Sequence, residues 1–70
     1  MTASSIQKRI DYAKELLQTA KFQIIEVETH LDFPNLYVTE ADLNEWLDYA
    51  AEKISLAVRG INKLKKDVKE

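Results

Sequence analysis

Cysteine is absent from this 70-residue chain, and glycine and proline occur once each. Without cysteine there is no disulfide framework, no thiolate metal cluster and no thiol nucleophile, which accords with a reducing, cytoplasmic setting. One glycine and one proline cannot supply the repeated turns of a loop-rich β fold. A single glycine also cannot build the loops that cradle nucleotide phosphates. No apolar run approaches the ~18 residues of a membrane span. The opening MTASSIQKRI lacks the apolar segment of a signal peptide, so none is expected. The length suits one small domain, residues 1–70.

Within these limits the chain is 46% apolar and 31% charged, and the apolar residues are periodic. Ile6, Ile10, Ala13, Leu17, Ala20, Ile24, Val27 and Leu31 follow one another in alternating steps of four and three. Leu43, Leu47, Ala50, Ile54, Ala57, Ile61, Leu64 and Val68 repeat the same rhythm. A period of 3.5 keeps one stripe of a helix facing a partner. The reading is therefore all-α, an antiparallel two-helix hairpin with helices at about 5–31 and 40–68 and a turn at about 32–39.

Local signals agree with those limits. Ser4 with Gln7 three residues on is expected to form a capping box at the first helix. Pro34 has no N–H to donate and disfavours a helical Phe33, so the first helix should stop by Asp32. Thr39 is expected to cap the second helix with Asp42 as its partner, Val38 and Leu43 packing as a staple around the cap. Gly60 lies inside the second stripe and costs about 1 kcal/mol relative to alanine, but the stripe continues in register past it.

With the stripe positions named a and d, the second helix carries Trp46 and Gly60 at g, Val58 at e, and Tyr49 and Leu56 at c. That apolar arc is wider than one neighbouring helix covers. A single core of this size rarely supplies more than ~3–5 kcal/mol, and association is the remaining remedy where disulfides are lacking. The expectation is a two-fold dimer forming a four-helix bundle, with Trp46, Tyr49, Ala50, Leu56 and Val58 on the self-association face.

Charge is sorted along the chain. Residues 1–21 and 53–70 hold all ten basic residues and four acids, a net +6; residues 22–52 hold eight acids and no lysine or arginine, a net −8. Folding into a hairpin gathers the acids at the turn and the bases at the open end. A dimer with its loops at opposite ends sets each acidic end beside a basic one, and that arrangement is the one expected.

Catalytic chemistry finds little support. His30 is the sole histidine, and the residue three before it is Val27 rather than the glutamate of a helical di-iron motif. Zinc needs about three protein ligands, for which no second histidine or cysteine exists. Ser4, Ser5, Thr39 and Ser55 read as caps or exposed positions without a pocket. No catalytic residues, metal or cofactor are expected. The function expected is that of a non-enzymatic interaction module: an adaptor, assembly chaperone or inhibitor. Phe22, Ile25, Glu26, Phe33 and Tyr37 are candidates for a patch that meets a basic protein partner. Two alternatives stand beside it. One is nucleic-acid binding by Lys8, Arg9, Lys14, Lys63, Lys65 and Lys66, which would be salt-dependent. The other is a small stabilising subunit whose apolar face a larger complex covers.

Overall fold

The computed structural model describes residues 2–34 and 37–69. Two helices of 30 residues each, α1 (Ala3–Asp32) and α2 (Glu40–Lys69), pack side by side as an antiparallel hairpin 53 Å long. Among the described residues there is no strand, and no helix is long and apolar enough to cross a membrane.

The start of α1 differs from expectation. Thr2 is the cap: its Oγ1 accepts a hydrogen bond from the Ser5 N–H at 3.1 Å. The Gln7 amide donates forward to Asp11 Oδ1 at 3.0 Å rather than back toward Ser4. A threonine two residues upstream meets the same orphan donors, so Ser4 joins the helix and its capping box does not form. The far end follows the proline rule. Phe33 leaves the helix at φ −127° and ψ 79°, its N–H reaching Thr29 O at 2.8 Å. At α2 the expected reciprocal box is present: the Thr39 N–H donates to Asp42 Oδ2 at 3.0 Å, and the Asp42 N–H donates to Thr39 Oγ1 at 3.2 Å. Helix α2 then runs unbroken through Gly60, whose φ is not positive.

The helices meet along a stripe rotated from the one the a and d spacing describes. Leu16, Ala20 and Val27 of α1 and Ala50 and Ala57 of α2 are buried. Arg9, Gln23 and His30 of α1 and Trp46, Lys53 and Asp67 of α2 are half-buried beside them. These are d and g positions. The a positions stay outside, with Leu17, Ile24, Leu31, Leu47, Ile54, Ile61 and Val68 between 38% and 66% exposed. Alanines at d, seven residues apart on both helices, belong to either stripe; the rotation follows the g residues, where Leu16 is buried and the Arg9–Asp67 and His30–Trp46 pairs cross between the helices. Small side chains at d let two helix axes approach closely, and the g side chains pack along that line.

Two cross-helix contacts hold the register. The Arg9 guanidinium meets Asp67 Oδ2 at 2.7 Å, and the His30 and Trp46 rings lie 5.1 Å apart, tilted by 45°. Each pair uses g positions, and the two pairs are separated by 21 residues on either helix, three whole heptads.

Candidate functional site

At 100° per residue, the a row of each helix lies about a quarter turn from the contact line. Because the helices are antiparallel, both a rows turn to the same side of the hairpin. That face presents Ile10, Leu17, Ile24 and Leu31 beside Leu47, Ile54, Ile61 and Val68, two parallel lines of aliphatic side chains. Only Ile10 among them is half-buried. Scattered apolar residues on a surface are ordinary, but a contiguous aliphatic face is not.

The opposite side carries the c rows and the outer edge of the g rows. Two hollows lie along it. One, of about 240 Å³, is lined by Lys8, Arg9, Tyr12, Ala13, Leu16, Leu56, Ala57 and Gly60. The other, of about 440 Å³, is lined by Thr19, Phe22, Gln23, Glu26, Trp46 and Tyr49. Lys53 Nζ stands 5.0 Å from the centre of the Tyr49 ring, a cation–π contact between them.

The residues expected to mediate self-association are thus divided. Ala50 is 2% exposed and lies inside the contact between the helices, so it offers no surface to a second chain. Trp46 packs on His30. Trp46, Tyr49 and Leu56 all line the hollowed side. Val58 alone sits next to an aliphatic row. The a residues are legible in the sequence as a periodic stripe, but the 3.5 spacing of a with d implies that both face the other helix. Their exposure follows from the rotation that the alanines permit.

The candidate partner patch is also divided. Phe22 and Glu26 share the larger hollow with Trp46 and Tyr49. Ile25 is on the outer back of α1, and Phe33 and Tyr37 are at the turn, all three exposed. Leu36, an apolar turn residue that could join such a patch, lies outside the described residues. His30 Nε2 stands 3.6 Å from Glu26 Oε1, one turn away. Among the described residues no three histidine, aspartate or glutamate side chains are placed to hold a metal ion.

The basic residues occupy the open end but not one surface. Lys8 and Arg9 border the smaller hollow, with Arg9 bound to Asp67. Lys65 and Lys66 line a separate depression of about 260 Å³ with Asn62 and Lys69. Lys14, at e, is on the aliphatic side of α1, and Lys63, at c, is on the hollowed side. Comparison with protein-family models, with curated proteins and with solved structures returns no match.

Proposed function

We propose that this chain is a non-enzymatic protein-interaction module that works as a homodimer, its two aliphatic faces packed together in a four-helix bundle. Surface area is the observation that supports this reading most directly. The hairpin exposes 5721 Å², whereas a compact monomer of its 8.1 kDa mass exposes about 4,500 Å². The excess of about 1,200 Å² exceeds the ~800 Å² that each partner contributes to a standard stable interface. The aliphatic rows are where such an interface gains most, since burial of apolar area is worth roughly 25 cal/mol per Å².

A two-fold axis through the middle of the face, with loops at opposite ends, runs each α1 antiparallel to its copy and each α2 likewise. The rows support this symmetry. The α1 row is centred between Leu17 and Ile24 and the α2 row between Ile54 and Ile61, each beside one of the buried alanines Ala20 and Ala57. Charge selects this orientation over the one with both loops at the same end, because net −8 then lies beside net +6.

Light scattering behind a sizing column tests the proposal. Wild type is expected at twice the chain mass at micromolar concentration. The double variant Ile24→Glu/Ile54→Glu, which leaves the helix–helix contact untouched, is expected at the single mass with helicity retained, because unpaired charges cannot be buried in the interface. A wild-type monomer with full helicity overturns the homodimer and assigns the face to a different chain.

A further inference from the structure

We propose that the groove on the other side of the hairpin, which Gly60 helps to line, is a docking site for an acidic amphipathic helix of a partner protein. Glycine in mid-helix is destabilising relative to alanine, and nothing inside this chain uses the missing side chain. Its φ is not positive, and a Cβ placed there meets no atom within 4 Å. The open space belongs to a hollow of about 240 Å³ whose apolar walls include Tyr12, Leu16 and Leu56. That exceeds the ~150 Å³ cavity that accommodates a benzene ring, so a bulky side chain from outside fits beside Gly60.

The groove lies on the c and g side, so a dimer formed through the a rows leaves it open. Residues of both helices wall it, and a groove between two helices accepts a third helix by anchors spaced i, i+3 or i+4, and i+7. Charge specifies the occupant further. Lys8 and Arg9 border the hollow, Lys63 follows Gly60 by one turn on the same side, and this end of the molecule carries net +6. Arg9 and Asp67 pair and offset each other, so the positive charge left on the rim is that of Lys8 and Lys63. Carboxylates flanking an apolar stripe match that rim, whereas a basic helix meets like charge.

The test is selection from a display library of helical peptides against the full chain, with Gly60→Leu held back as the comparison protein for the binding measurements. Leucine is a better helix former than glycine and enters open space, so circular dichroism and mass should match wild type and show that the fold is kept. Recovered peptides are expected to carry an apolar stripe flanked by Asp and Glu. By fluorescence anisotropy they should bind wild type at least tenfold more tightly than Gly60→Leu or Lys8→Glu/Lys63→Glu. The proposal is overturned if selection enriches no sequence, if enriched peptides show no acidic excess, or if they bind Gly60→Leu as well as wild type. A short RNA hairpin whose binding is lost in Gly60→Leu would equally overturn it, reassigning the groove to nucleic acid.

Discussion

Thr39 and Asp42 satisfy each other's backbone N–H groups at the start of α2, and Thr2 does the corresponding work alone at α1. Replacing Thr39 with alanine should therefore cost about 1 kcal/mol. Ser4→Ala should change stability by no more than a few tenths, because Ser4 caps nothing; denaturant melts of the two variants compare them directly. Gly60→Ala should act in the opposite direction. With open space at the Cβ, it should stabilise α2 by about 1 kcal/mol and raise Tm by about 4–8 °C. The comparison requires equal protein concentrations, since the proposed association would make Tm depend on concentration. The Arg9–Asp67 pair is about a quarter exposed on each side. A double-mutant cycle on it should give no more than about 1 kcal/mol of coupling, so its contribution lies in register rather than strength.

For the two helices, period and limits were legible because each has a local cause. Pro34 ends one helix, Thr39 begins the other, and sixteen apolar residues keep a 3.5 rhythm. The face in contact was not legible in the same way. The a/d stripe and the d/g stripe share every d residue and differ by a rotation of about 60°. Choosing between them requires knowing how closely the axes approach. Ala57, 0% exposed, and Ala20 and Ala50, each 2% exposed, lie inside the contact. Ala57→Leu should accordingly force the axes apart and destabilise the hairpin by about 1–3 kcal/mol, as read by urea denaturation. The same leucine at Ser55, exposed on α2, should be nearly neutral. The rotation also explains why Trp46 and Tyr49, assigned by arc width to self-association, line the opposite groove instead.

As a whole molecule the hairpin is a rod of 53 × 16 × 13 Å with a radius of gyration of 16.0 Å, against about 11 Å for a compact chain of its length. Doubling the chain raises the compact value to about 14 Å, whereas packing two such rods side by side at about 10 Å adds only about 1 Å to the radius, so pairing narrows the gap from the compact value. The orientation of the proposed pairing is measurable because the chain has no cysteine of its own. A spin label on Asn44→Cys should stand about 40 Å from its copy if the loops lie at opposite ends, and within about 20 Å if they lie together. High salt should weaken the preference between orientations more than association itself, since it screens exposed charge and leaves apolar burial intact.

Residue order alone determined that the chain is helical, where the helices begin and end to within about two residues, and that charge is divided between the two ends. Those properties depend on neighbours a few positions apart along the chain. Tertiary structure decided which stripe the helices share, which aliphatic rows are left outside, and that Gly60 opens a hollow instead of closing a turn. Each of these depends on the separation of two helix axes, which is set by the fit of side chains from distant parts of the chain.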